Sequence, residues 1–194
     1  MTDRKYFSGR KDPQEAFLKQ LERLFSLDLK AVVLREKDLG PEEYLKLAEK
    51  VKAIAGEGSR CRLILHQFPE AAEKLGIDAV HLPLKMLREL RETCPERLSG
   101  FRIIGTSVHS PEDARIARQC GATYCFAGNI YETTCKPGLE GRGLAWLREV
   151  AEAVPIPVYG IGGITPERMN EILETGAAGG CMMSGSMRLQ GEYK

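Results

Sequence analysis

The chain has 194 residues, of which 28 are Lys or Arg and 27 are Asp or Glu. That length supports one sizeable core, and the charge balance gives no global pull toward nucleic acid or a membrane surface. No apolar run approaches the roughly 20 residues that span a bilayer, and the opening MTDRKYFSGRKD lacks the apolar centre of a signal peptide.

A single cytoplasmic domain over residues 1–194, enzyme or binding module, is therefore expected. Its six cysteines (Cys61, Cys94, Cys120, Cys125, Cys135 and Cys181) show no paired CxxC spacing. Neither a zinc site nor a disulfide framework is expected, and no metal is assigned.

Taken in chain order, the first strand candidate is RKYFS (4–8), and it is weak. A helix then starts at Asp12 in DPQEAFLKQLERLF. AVVLRE (31–36) is the first clear apolar run, followed by a helix from Gly40 in GPEEYLKLAEKVKAIAG. RLILH (62–66), AVHLP (79–83) and RIIGTSV (102–108) continue the series, and SPEDARIARQCGA starts a helix at Ser110. YCFAGNI (124–130), PVYGIGG (157–163) and GGCMMSG (179–185) complete it, with TPERMNEILETGA starting a helix at Thr165.

The runs are near-continuously apolar, as in parallel strands covered on both faces. Each of these helix starts sets a cap-favouring residue before a proline, whose missing N–H would be unpaired in the first turn anyway. Acidic residues follow, where the helix dipole favours them. Glycines at 56, 76, 121 and 176 close segments, each able to take a left-handed cap.

The βα alternation fits a TIM (β/α)8 barrel or an open doubly wound sheet. There is no GxGxxG in the first unit and no GxxxxGK[ST] anywhere, which removes the main support for dinucleotide and P-loop readings. The expectation is a compact TIM barrel with a weak first strand and a truncated last helix. Apolar surface exposed at such clipped ends would favour a homodimer.

Function in such a fold belongs at the carboxyl ends of the strands. Those ends carry Arg35 and Lys37, His66 and Gln67, His81, then Ser107 and His109. Asn129, Thr133, Lys136 and Arg142 follow, and the chain ends with the small-residue turns GIGG (160–163) and MSGS (183–186). Gly162, Gly163, Ser184 and Gly185 suit a phosphate, because glycine lets main-chain amides approach an anion. The plainer account of GIGG is relief of crowding at a strand end, and that of LREK is an ion pair on a solvated loop. For His81 the plainer account is a core histidine held by hydrogen bonds.

Five motifs in order, LREKDL, GTSVHS, ETTCKPGLEGRGL, GIGGITPERM and MSGS, resemble the thiamine-phosphate synthase and thiazole tautomerase family across 31–185. The resemblance implies a TIM barrel of thiamine biosynthesis that binds a small phosphorylated heterocycle, a thiazole phosphate. It implies that Gly162, Gly163 and Ser184 hold the phosphate. Arg35, Lys37 and Lys136 would face a second anionic group, and Ser107 and Thr133 would line the pocket.

In this family the synthase joins the thiazole phosphate to a pyrimidine carried on pyrophosphate, with magnesium; the tautomerase shifts a proton and needs no metal. The synthase pattern has Asn-Asp-Arg where this chain has His66, Gln67 and Phe68, and a second aspartate where it has Met86. The tautomerase loop ETTCKPGLEGRGL fits better, so a tautomerase-like protein without cofactor is the first expectation. The alternatives are a synthase lacking its magnesium ligands and a non-catalytic binding module. The tautomerase histidine is replaced by Asn129, and an amide cannot exchange a proton near neutral pH as imidazole does. Cys135, His109, His66 and Glu132 are the candidates for a substitute base.

Overall fold

A computed structural model of the protein describes residues 1–56, 58–133 and 138–189. The strands are β1 (Ala31–Leu34), β2 (Arg62–His66), β3 (Ala79–Pro83), β4 (Ile103–Val108), β5 (Tyr124–Gly128), β6 (Val158–Ile161) and β7 (Gly179–Cys181). Their hydrogen-bonded order is the chain order, β1 to β7, and every printed pairing is parallel. This is the βα repeat of the TIM-barrel class, with seven strands among the described residues.

The chain divides into two compact units, Met1–Val80 with Met183–Lys194, and His81–Met182. The first holds α1 (Pro13–Ser26), β1, α2 (Pro41–Ala55), β2 and α3 (Pro69–Leu75), with α9 (Ser184–Arg188). The second holds α4 (Leu84–Thr93), α5 (Glu96–Ser99), β4, α6 (Pro111–Gln119), β5, α7 (Gly143–Glu152), β6, α8 (Met169–Leu173) and β7.

The helix starts form as their chemistry dictates. Asp12 accepts a hydrogen bond from the Glu15 amide, and Ser110 accepts one from the Asp113 amide. At Gly40, which has no side chain to offer, the Glu43 carboxylate reaches back to the Gly40 N–H. The Thr165 segment departs from the expected helix. Pro166–Arg168 forms a single 3-10 turn before the five residues of α8.

Residues 4–8 are not a strand. Arg4–Phe7 is a 3-10 turn, because Asp3 caps the Lys5 amide and the Glu36 carboxylate captures the Arg4 amide at 3.0 Å. Ahead of that turn, the Thr2 N–H donates to Val33 O at 2.9 Å in a ladder-like bond. The final helix is short, as expected: α9 has five residues.

In the second unit, alternate residues of β4 and β5 separate two faces. Ile104, Thr106, Val108, Cys125 and Ala127 lie on one buried face. The other presents Tyr124 and Phe126, which join His81 and Tyr159 in one aromatic cluster with ring centroids 4.7–6.2 Å apart. Gly105 makes this cluster possible, since a Cβ there would fall onto the Tyr124 ring. Among the described residues no helix is long and apolar enough to cross a membrane.

Candidate active site

The strand ends of the first unit gather around β1 and β2. Tyr44, fully buried on α2, donates its hydroxyl to Leu34 O at 2.6 Å and accepts the His66 N–H at 2.9 Å. It therefore pins the two carboxyl ends together. Beyond β1, Glu36 turns inward and is 2% exposed. It accepts from Thr2 Oγ1 at 2.6 Å and from the Arg4 amide, with Arg4 Nε 3.9 Å away. Burial raises its pKa. LREK is thus no simple surface ion pair: its carboxylate is committed to the N-terminal segment.

Arg35 is half-buried, with its amide on Thr2 Oγ1 and Nη1 3.8 Å from Met183 Sδ. Lys37 is exposed. Both cations act on His66, whose pKa is lowered to about 3, chiefly by burial and then by Arg35 and Lys37. The imidazole is neutral in this cationic corner. Next to it Gln67 holds φ at 70°, a left-handed backbone uncommon outside glycine. Sequence reading placed Gln67 at a strand end without giving it a role; nothing in its residue type marked the strained backbone.

In the second unit β4 ends at Val108 and β5 at Gly128. Ser107, half-buried, meets His81 Nε2 at 3.0 Å, and His81 Nδ1 meets Tyr124 Oη at 2.9 Å. His81 is fully buried, so the core reading of it holds, and one of its bonds leads out to the half-buried Ser107. His109 is exposed, and its Nδ1 lies 3.0 Å from Gly128 O. A carbonyl only accepts, so Nδ1 carries the proton of that hydrogen bond and Nε2 takes no part in it.

Asn129 is 6% exposed, and its Nδ2 donates back to Tyr131 O at 3.3 Å and Glu140 O at 3.4 Å. The amide thus braces its own loop. Arg142 lies with its guanidinium 4.8 Å from the centroid of the Trp146 ring on α7. Thr133 is half-buried beyond Tyr131, whereas Cys135 and Lys136 lie outside the described residues.

The GIGG corner is built against this loop. Gly162 and Gly163 have φ of 99° and 67°. A Cβ on Gly162 would lie 2.6 Å from Asn129 Cβ, and one on Gly163 would lie 2.7 Å from Tyr131 Cβ. Close approach alone therefore requires both glycines, so the crowding explanation is real. It is not the whole account. Tyr131 N–H donates to Gly162 O at 3.1 Å, and Arg168 Nη1 donates to Gly163 O at 2.8 Å while stacking 4.1 Å over the Tyr131 ring. The carbonyls are thereby turned into protein. The Gly162 and Gly163 amides donate to no acceptor among the described residues, which leaves two adjacent main-chain donors for an anion. Ser184 and Gly185 open α9 in the other unit.

Magnesium, which the synthase pattern implies, does not fit the residues present. The two positions where the synthase pattern has aspartates carry Gln67 and Met86 here, with His66 and Phe68 on either side of the first. Among the described residues no three His, Cys, Asp or Glu side chains gather as a metal would need. An imidazole, an amide and apolar groups are a poor match for an ion that takes oxygen ligands.

The chain belongs to the thiamine monophosphate synthase family, whose model matches residues 6–185. It is 36% identical over 179 residues to a protein of Aquifex aeolicus strain VF5 named "Putative thiamine-phosphate synthase 2", covering 92% of this chain and 91% of that one. Over 195 residues it is 34% identical to the thiamine-phosphate synthase of Clostridium acetobutylicum, covering 98% and 86%. Among solved structures it is similar to a thiamine phosphate pyrophosphorylase from Pyrococcus furiosus, with a TM-score of 0.74, 27% identity, and coverage of 97% and 86%.

Proposed function

We propose that the chain works in thiamine biosynthesis as a synthase-type transferase, joining a pyrimidine carried on diphosphate to a thiazole phosphate. The near-full-length similarity to proteins named thiamine-phosphate synthase supports this branch over the tautomerase branch suggested by the loop motif. The observation that carries the chemistry is the pair of open amides at Gly162 and Gly163, suited to a phosphate.

In the reaction the bond between the pyrimidine methylene and the diphosphate oxygen breaks, and the thiazole ring nitrogen forms the new C–N bond. Diphosphate leaves with the bonding electron pair, and no proton is lost from the joined product. Arg35 and Lys37 meet the negative charge that grows on the leaving group. Glu36 does not oppose them with an exposed charge, because its carboxylate is buried on Thr2 and Arg4. Gly162 and Gly163 hold the thiazole phosphate, and Ser107 and Thr133 orient the rings.

The test is incubation of the purified chain with the pyrimidine diphosphate and thiazole phosphate, with magnesium and with EDTA, reading thiamine phosphate and pyrophosphate by mass spectrometry. Product in both conditions, lost in Arg35→Ala, is the expected result. Product in neither condition would refute the transferase reading.

A second reading is the tautomerase, and His109 favours it: with Nδ1 donating to Gly128 O, its other ring nitrogen is the candidate base at the end of β4. It predicts turnover of the thiazole carboxylate phosphate with solvent deuterium uptake, abolished in His109→Ala. Binding of thiazole phosphate without either turnover would instead mark a binding module.

A further inference from the structure

We infer that Tyr124 and His81 form a one-way hydrogen-bond relay that fixes Ser107 as a donor toward a hydrogen-bond acceptor on the bound heterocycle. The inference rests on the reading of Ser107 as a pocket-lining residue and adds two positioning residues behind it. The argument begins at the buried end. Tyr124 is 7% exposed, and burial among its neighbours raises its phenol pKa well above the ordinary value, so it keeps its proton. Its hydroxyl meets one partner among the described residues, His81 Nδ1 at 2.9 Å.

A buried O–H left without an acceptor costs more than a spare lone pair on the same oxygen. Tyr124 therefore donates, and His81 Nδ1 accepts. The imidazole proton then resides on Nε2, which lies 3.0 Å from Ser107 Oγ. Ser107 accepts that bond, and its own hydrogen points away from His81. Ring packing enforces this geometry. His81 stacks on Phe126 at 4.7 Å and 26°, and the missing side chain at Gly105 makes room for Tyr124. A half-turn of the imidazole within that stack would put carbon atoms opposite Tyr124 Oη and Ser107 Oγ and lose both hydrogen bonds.

A ligand placed beside Ser107 thus meets a committed donor. A ring nitrogen or carbonyl oxygen there is bound; an N–H in the same place leaves two hydrogens facing each other. His81 and Tyr124 act through Ser107 and do not touch the ligand.

The first measurement is the 15N tautomer of His81 in the full chain, feasible because the sequence has three histidines. The expected result is a protonated Nε2 and a bare Nδ1; a protonated Nδ1 would overturn the relay. The second measurement is calorimetry with thiamine phosphate. His81→Leu and Ser107→Ala should each weaken binding about 3- to 10-fold, the range for loss of one neutral hydrogen bond. The double variant should lose no more than either single one, and His81→Gln, whose amide nitrogen reaches the place of Nε2, should restore most of the affinity. Losses that multiply in the double variant would show that His81 acts independently, and the relay would fall. Failure of the wild type to bind thiamine phosphate would count against the functional reading alone, because the tautomer measurement still decides the relay.

Discussion

The cationic corner at β1 and β2 can be weighed through the imidazole it encloses. His66 is 6% exposed beside Arg35 and Lys37, and its pKa is lowered to about 3, against about 6.5 for an unperturbed histidine. Because the folded value lies below the unfolded one, the unfolded chain takes up a proton that the folded chain refuses. The stabilisation is complete above about pH 6.5 and is lost as pH falls toward 3. At pH 5, about 1.5 units below the unfolded value, the loss is about 2 kcal/mol. Glu36 acts in the opposite sense: its raised folded pKa makes the folded state take up a proton first and offsets part of the loss on acidification.

Comparison with His66→Asn removes the imidazole and leaves Glu36 in both proteins. Urea unfolding at pH 8 and pH 5 should show the wild type losing about 2 kcal/mol more than the variant between the two values. Equal losses in the two proteins would refute the placement of a buried, neutral imidazole against two cations. Arg35→Ala supplies an internal control, since removing that charge should move the His66 titration upward in an NMR pH series.

Three other outcomes follow from packing and hydrogen bonding. Gly105→Ala drives a methyl into the Tyr124 ring and should cost about 1–3 kcal/mol in urea unfolding; an unchanged midpoint would mean that the ring yields. Thr106 is fully buried, and its Oγ1 has no partner among the described residues. Thr106→Val should therefore stabilise by about 1 kcal/mol, and destabilisation would reveal a hydroxyl that is in use. Arg168→Ala removes the bond to Gly163 O and the stack on Tyr131. It should weaken thiazole phosphate binding about 3- to 10-fold in calorimetry, whereas unchanged affinity would show that the corner stands without it.

The strands were legible because a parallel strand covered on both faces must be apolar throughout, and each apolar run from AVVLRE (31–36) onward holds one. Asp12 and Ser110 were legible as caps because capping is a local contest between one side chain and the next amides. What escaped the sequence depended on distant partners. RKYF became a 3-10 turn because Glu36, over thirty residues away, holds the Arg4 amide. Arg142 turned onto Trp146, and Arg168 drew back to Gly163 O, beside the point where the expected long helix at Thr165 became a 3-10 turn and five α-helical residues.

The candidate site shows the same division. Gly162 and Gly163 could be named from a glycine-rich strand end, but their open amides follow from Tyr131 and Arg168 taking the two carbonyls. His81 was legible as a core histidine. Its link to Ser107 was not, because that depends on which faces of β3, β4 and β5 meet. The inward turn of Glu36 was equally hidden, since a charged triplet at a strand end looks solvated until its partners are known.

The phosphate site proposed at the GIGG corner is open to one direct observation, a crystal structure of the chain with thiazole phosphate bound. The phosphate oxygens should lie within hydrogen-bond distance of the Gly162 and Gly163 amides, with both residues keeping their positive φ. A phosphate bound elsewhere, with those two amides facing solvent, would contradict the account.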